Sequence, residues 1–502
     1  MNHAIIRNLI GKILILVAIL MILPVIVSII YTIKGEDNIN DIISFLVPMV
    51  SMLLVGGLLN IKKAKDTSMK AKEGFVIVAL SWIVMSLFGC LPFIISGKIP
   101  NFFDAFFEIA SGFTTTGSSI LDDVSIETMG HSILFWRSFS HWIGGMGILV
   151  FILAIIPESK DGSAVHILRA ESPGPTVDKI ATKTRVTTRI LYIIYIVLTV
   201  TEILFLFLGP DKKMDFFNSV IYSLGTAGTG GFGIDNFDGV AVVFGQYTHY
   251  TQYVVAVFML IFSINFTIYY LILIGKFKDV IKNEEFRWFF VIVIIAVGLL
   301  ILNIYKICNT FEEAFRYSLF TTATIISTTG YANVDHTLWP TTAKLIVCAL
   351  MVIGGCAGST AGGIKVTRLV ILVKSSLKKI GKMLNPNKVE ILMVDGKPVD
   401  DSTTEAVQSY FIIYVLIFII CGLVVSTGTN HGEEIDMVTA ISASLTCINN
   451  VGPGLTQIIG PVGSFSGFTW YVKLLLSLEM IAGRLELFPV IILFNPKTWL
   501  RS

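Results

Sequence analysis

The sequence predicts an all-α polytopic membrane protein. It has four pseudo-symmetric helix–pore-loop–helix repeats around one pore, plus an N-terminal two-helix hairpin, making about ten spans. Three observations predict it. The chain is very apolar; its apolar segments have spanning length; and four short polar stretches centred on glycine recur about a hundred residues apart. The stretches are Thr114-Thr-Thr-Gly117-Ser-Ser, Gly228-Thr-Gly230-Gly-Phe, Ser327-Thr-Thr-Gly330-Tyr and Asn449-Asn-Val-Gly452-Pro-Gly. Non-helical backbone survives at membrane depth only when buried in protein or lining a watery path.

Of 502 residues, 54% are hydrophobic and 14% charged, with a mean hydropathy of +0.79. Soluble domains carry about a quarter charged residues, so a large soluble enzyme is excluded. The net charge of +2 gives no electrostatic reason to bind nucleic acid. Six cysteines (Cys90, Cys308, Cys348, Cys356, Cys421, Cys447) are scattered in or beside apolar segments without a CxxC pair. They read as buried apolar residues, not as a metal site or disulfide framework. Residues 1–32 place Arg7 and Lys12 ahead of an apolar run long for a signal peptide, and are expected to stay as a membrane helix.

Candidate spans fall at about 10–32, 40–61, 74–96, 132–156, 190–208, 250–275, 287–306, 343–373, 406–427 and 468–495. Every second connection is basic: Lys62–Lys72, Lys160–Arg189, Lys276–Arg287 and Lys374–Lys397. The positive-inside rule puts these connections and both termini in the cytoplasm. The glycine stretches then approach from outside.

Before each glycine lies a short apolar stretch with Asp or Glu near its start, beginning at Phe102, Met214, Phe311 and Ile435. About ten to fifteen residues is too short to span, and suits a re-entrant half-helix. The acidic start suits its N-terminus, and its negative C-terminal end favours a cation beyond it. The expected units are the hairpin, 1–65, and pore repeats at 66–160, 161–280, 281–380 and 381–502.

The candidate filter residues are Thr115, Thr116 and Gly117; Gly228, Thr229 and Gly230; Thr328, Thr329 and Gly330; Asn450, Val451 and Gly452. Glycine takes left-handed conformations cheaply, so successive carbonyls can point to one axis and replace an ion's hydration shell. No Asp or Glu falls within these stretches. Uncharged carbonyls suit a monovalent ion better than the carboxylate clusters of calcium sites.

Further motifs carry a resemblance. Trp136-Arg-Ser…Trp142-Ile-Gly-Gly-Met-Gly147, Gly354-Gly-Cys-Ala-Gly-Ser-Thr-Ala-Gly-Gly-Ile-Lys365, Gly483-Arg-Leu-Glu-Leu-Phe488 and Asn385-Pro-Asn-Lys-Val…Val394-Asp-Gly-Lys-Pro-Val join the four loops. With them the chain resembles the TrkH/KtrB superfamily of potassium transport proteins over nearly its whole length. The extra N-terminal hairpin favours the TrkH branch. In that family one glycine per loop marks selectivity; those glycines match Gly117, Gly230, Gly330 and Gly452. Serine at the first position goes with sodium preference in plant relatives, so four glycines imply potassium. The resemblance also implies a bacterial plasma-membrane location, a homodimer with one pore per subunit, and a separate cytosolic TrkA-type ring that binds nucleotides. No covalent cofactor is expected, and K+ is the implied permeant ion.

A gate is expected below the filter. Gly354, Gly355, Gly358, Gly362 and Gly363 interrupt one span, and each glycine costs a helix about 1 kcal/mol relative to Ala. That predicts an unwound middle; close helix packing is the other use of such glycines. The Gly-Lys-Ser/Thr ending of a phosphate loop is missing. Arg484 lies inside the last span, where a charge costs about 2.5–3.5 kcal/mol or more and must face a partner or water. By resemblance, it and the unwound loop obstruct the pore. An ion pair with Glu479 or Glu486 is the alternative use. Lys365 and Arg368 are expected to snorkel, Glu202 to end a helix, and His131 and His141 to carry no chemistry. No nucleophile–base cluster or ATPase motif marks an enzyme. The competing transport reading is a sodium-permeable or Na+/H+-coupled symporter.

Overall fold

A computed structural model describes residues 1–62, 69–122, 124–147, 184–234, 243–387 and 391–499. The expected far half of the fourth span, the basic residues Lys63, Lys65, Lys160, Arg169, Lys179, Lys183 and Lys388, and the boundary between the first two repeats lie outside the described residues.

The structure is an all-helical multi-span membrane protein. Six helices among the described residues are long and apolar enough to cross a bilayer: His3–Ile33, Ile39–Asn60, Ala71–Ile95, Thr188–Phe207, Glu284–Ile304 and Asp401–Val425. The first two form the N-terminal hairpin. Gly11 and Gly56 lie where they cross; a Cβ on Gly11 would sit 2.8 Å from the Gly56 carbonyl oxygen, so only glycine permits this approach. Arg7 Nε and Asn8 Nδ2 each donate at 3.1 Å to the Leu59 carbonyl, satisfying an orphan acceptor at the end of the second helix.

The other four long helices are the outer helices of the repeats. Their solvent-exposed residues are large and apolar at helical spacing, as in Ile193, Ile196, Val197 and Val200, or Ile412, Leu416, Ile419, Ile420 and Leu423. In a bilayer such a stripe faces lipid.

The third inner helix is interrupted where its glycines predict, and the other three differ from the continuous spans expected of them. The first, His131–Gly145, stops before Gly147, whose φ is 75°. The second breaks between His249–Phe262 and Phe266–Leu273 with a 90° bend. There the Asn265 side chain accepts the Thr267 N–H at 2.9 Å and starts a new helix. The third runs Thr341–Ile353 and resumes at Val366–Leu384. The fourth runs Trp470–Arg484 and resumes at Phe488–Phe494, with Glu486 and Leu487 between them at φ of 57° and 68°. The glycine count flagged only the third break.

The four half-helices are present as pore helices: Phe102–Phe113, Phe216–Gly228, Phe311–Ile326 and Met437–Asn449. Each starts on a side-chain cap, from Asn101, Asp215, Thr310 and Asp436 respectively. Pore and inner helices alternate in contact around a closed circuit, and the fourth inner helix returns to the first pore helix. Two short hairpins, Met393–Val394 with Lys397–Pro398 and Thr429–Asn430 with Glu433–Glu434, are the strands among the described residues.

Candidate permeation pathway

All four pore helices end alike. Thr115, Thr229, Thr328 and Asn450 take left-handed φ values of 57°, 56°, 58° and 55°. The N–H of each bonds the carbonyl three residues back, and the next N–H bonds the carbonyl five back, as Thr115 to Gly112 and Thr116 to Ser111. This is a Schellman ending, which glycine or asparagine usually supplies. Threonine there costs about 1–2 kcal/mol, so three of the four loops hold backbone strain that the surrounding structure must sustain.

Two residues further on, a glycine again has positive φ: Gly117 at 80°, Gly231 at 65°, Gly330 at 88° and Gly452 at 105°. The second loop therefore sits one residue later than its motif placed it. Gly231 stands where Gly117 stands, Gly230 matches Thr116, and Gly228 closes the pore helix. Aligning Thr229-Gly230 with Thr116-Gly117 missed that Thr229 takes the capping position. The aromatic after the glycine, Phe232 as in Gly330-Tyr331, was the usable signal.

These four glycines close a ring. A Cβ on Gly117 would collide with the Gly230 carbonyl, one on Gly231 with that of Thr329, one on Gly330 with that of Val451, and one on Gly452 with that of Thr116. Each loop thus abuts the next, in chain order and back to the first. Side chains brace the ring. Thr114 and Thr116 hydroxyls meet at 2.7 Å, as do those of Ser327 and Thr329. Asn450 Nδ2 donates to the Thr116 hydroxyl at 3.0 Å and the Met480 carbonyl at 2.9 Å, joining the fourth repeat to the first.

Above the ring lies a cavity of about 100 Å³ lined by Gly117, Gly231, Gly330 and Gly452. Arg137 also lines it, although only 2% exposed. Its guanidinium pairs with Glu108 at 2.7 Å and donates to Ser119 at 3.2 Å, and Glu108 accepts the Ile120 N–H at 3.0 Å. The chain leaving the first loop is fixed by this buried network, which the sequence reading did not find. Among the described residues no group of three His, Cys, Asp or Glu is placed to hold a metal ion.

Below the ring runs the unwound segment of the third inner helix. Gly354, Gly358 and Gly363 have positive φ, which is why glycine is needed there. Gly355 packs on Ser263 and Ala361, and a Cβ on Gly362 would strike the Asn449 carbonyl. The Gly362 N–H donates to the Thr328 hydroxyl at 2.7 Å, hanging the segment from the third loop. Glu285 holds both its ends, accepting the Ala357 N–H at 2.6 Å and the Thr367 N–H at 3.2 Å. No motif pointed to Glu285, which lies far away in sequence at the start of the outer helix.

Arg484 reaches across from the fourth inner helix. It donates to the Thr360 carbonyl at 2.5 Å and to the Gly144 and Gly145 carbonyls at 2.7 and 2.5 Å. The acids considered as its partners are engaged elsewhere. Glu486 pairs with Arg368, and Glu479 accepts from Ser444 at 2.6 Å. Arg368 and Lys365 are buried, not snorkelling; Arg368 also lies over the Tyr410 ring, and Lys365 donates to the Ala361 carbonyl. Glu202 is likewise fully buried. His131 stacks on Tyr31 and bonds Asp37 at 3.0 Å, pinning the hairpin to the first inner helix. Burial raises the Asp37 carboxyl, but the bonds from His131 and Ser132 outweigh it and hold the carboxyl below its ordinary value.

A circuit of re-entrant pore helices and broken inner helices, ringed by four glycine loops, defines a multi-span transport protein, not an enzyme. The chain belongs to the TrkH family, described as cation transport proteins, whose profile matches residues 43–500. It is 32% identical over 509 residues to the Trk system potassium uptake protein TrkH of Escherichia coli, covering 99% of this chain and 100% of that one. It is 30% identical to the Trk system potassium uptake protein TrkG of the same organism, over 95% of each. The crystal structure of the potassium transporter TrkH from Vibrio parahaemolyticus superposes with a TM-score of 0.84 at 28% identity, over 100% of both chains.

Proposed function

We propose that this chain is a potassium uptake protein of a bacterial plasma membrane. K+ permeates in a channel-like manner through the glycine ring, down its electrochemical gradient. One observation carries the reading: four equivalent loops close on each other through backbone carbonyls, with no carboxylate in them. Such a cage can replace the hydration shell of a monovalent cation. A membrane potential drives inward movement by about 2.3 kcal/mol per charge per 100 mV. The K+ sites are Thr115–Gly117, Gly228–Gly231, Thr328–Gly330 and Asn450–Gly452.

The segment from Gly354 to Gly363 and Arg484 act as the gate: a fixed positive charge and a bonded loop beneath a cation filter oppose passage until they move. The basic alternate connections support cytoplasmic termini, and the family resemblance supports a homodimer and control by a nucleotide-binding TrkA-type ring. Uptake of K+ and Rb+ by cells lacking their own potassium transporters, with and without sodium, tests the function. Expression of the chain should restore growth at low potassium independently of sodium. Uptake that requires sodium, or sodium entry of equal rate, would replace this reading with a coupled or sodium-permeable symporter.

A further inference from the structure

The first inner helix sends two side chains behind the second loop: Arg137, whose guanidinium lies 4.1 Å from the Phe232 ring centre and donates to the Gly233 carbonyl at 3.4 Å, and His141. His141, on the first inner helix, is fully buried. Its Nδ1 lies 2.8 Å from the Gly112 carbonyl, at the end of the first pore helix, and its Nε2 lies 3.3 Å from the backbone N of Phe232, directly after Gly231. A carbonyl can only accept and a backbone N–H can only donate. The two contacts together therefore require the neutral imidazole with its proton on Nδ1. The ring also packs on the Phe232 ring at 4.2 Å, and a Cβ on Gly230 would collide with the imidazole.

The Phe232 peptide is held at both polar ends. Tyr331 of the third repeat shares its hydroxyl proton between the Phe232 and Tyr222 carbonyls, 3.2 Å from each. At the other end the Phe232 N–H is shared, since it also points to the Gly230 carbonyl at 2.9 Å. That carbonyl is the one Gly117 abuts in the ring. An N–H drawn partly to the imidazole leaves the Gly230 carbonyl freer to face an ion. Without the imidazole the N–H falls wholly to Gly230, and the carbonyl turns toward it.

We propose that His141 is a positioning residue for ion discrimination: its neutral Nδ1–H imidazole clamps the second loop to the first pore helix and keeps the Gly230 carbonyl available to the permeant ion. The proposal rests on the reading of the four loops as the filter.

The test is a series at one position in the full chain, expressed in potassium-transport-deficient cells. His141→Gln carries an oxygen at the reach of Nε2 and can still accept the Phe232 N–H. His141→Asn reaches only the place of Nδ1 and can serve Gly112 alone. His141→Leu fills the space with neither bond. The readout is the ratio of K+ or Rb+ uptake to Na+ uptake, which a packing role would leave unmoved even if total uptake fell. His141→Gln should keep that ratio. His141→Asn and His141→Leu should lower it by about fivefold to tenfold, the effect of one hydrogen bond. Wild-type discrimination in His141→Asn, or equal loss in His141→Gln and His141→Asn, would overturn the proposal. If His141→Leu does not accumulate in the membrane, the Gln–Asn comparison decides alone. Gly117→Ser in the same assay separates the two levels. If it leaves the ratio unchanged, the filter reading falls; if it shifts the ratio while the His141 series does not, only the clamp does.

Discussion

The Arg484 guanidinium donates to the Thr360 carbonyl at 2.5 Å, binding the fourth inner helix to the unwound middle of the third. With its bonds to Gly144 and Gly145, one side chain joins three of the four repeats under the ring. Hydrogen bonds to a charged group contribute about 1.5–3 kcal/mol each. Arg484→Ala should raise basal Rb+ uptake per molecule by roughly tenfold or more. Uptake at or below the wild-type rate, at matched membrane expression, would remove Arg484 from the gate.

Glu285 should act on the same segment from its ends. Glu285→Ala strips the acceptor from two buried N–H groups, at about 1–3 kcal/mol each. It should lower the melting temperature in detergent and raise basal flux, whereas Glu285→Gln keeps an acceptor and should stay near wild type on both. A flux in the alanine variant no higher than wild type would confine Glu285 to stability.

The register of the second loop makes a sharp distinction. Gly117→Ser and Gly231→Ser both place a side chain against the neighbouring loop's carbonyl at positive φ. Both should reduce discrimination against sodium by about tenfold, since a shift of about 1.4 kcal/mol between two ions is that factor. Isotope competition with Na+ against Rb+ reads it. Loss at Gly117 with none at Gly231 would break the equivalence of the two positions.

Asp37 gives a pH prediction. Its carboxyl titrates below its ordinary value in the folded chain, so its contribution is full above the unfolded pKa of about 3.9 and is lost as pH falls through the lower folded value. Melting temperature should therefore fall below about pH 4 in wild type, and less steeply in Asp37→Asn. Parallel curves for the two proteins would show that the His131–Asp37 contact adds nothing.

The outer helices and hairpin were legible because lipid imposes long apolar runs that no other environment requires. The pore helices were legible from their acidic starts and shortness, although two of the caps themselves are Asn101 and Thr310. The ring was legible as four glycine loops but not in register, because Thr229 does in the second loop what Thr115 and Thr328 do in theirs while its neighbour is Gly230. The breaks in the second and fourth inner helices left no glycine cluster to read. Asn265 restarts one helix with a single cap, and Glu486 and Leu487 turn another without glycine. Glu285, Arg137 and His141 act across large sequence separations, and a lone buried polar residue looks alike in sequence whether it braces a loop or fills a core.

The glycine ring closes within a single polypeptide. Each quadrant is therefore encoded separately, and Thr-Thr, Thr-Gly, Thr-Thr and Asn-Val stand before the four glycines. In an assembly of four identical subunits, one codon change alters every quadrant at once. Here it alters one, leaving three intact. Stoichiometry thus allows the obstruction beneath the ring to be lopsided, built from one loop and one arginine. It also means that a substitution in one loop changes a quarter of the ring and leaves the other three quadrants as they were.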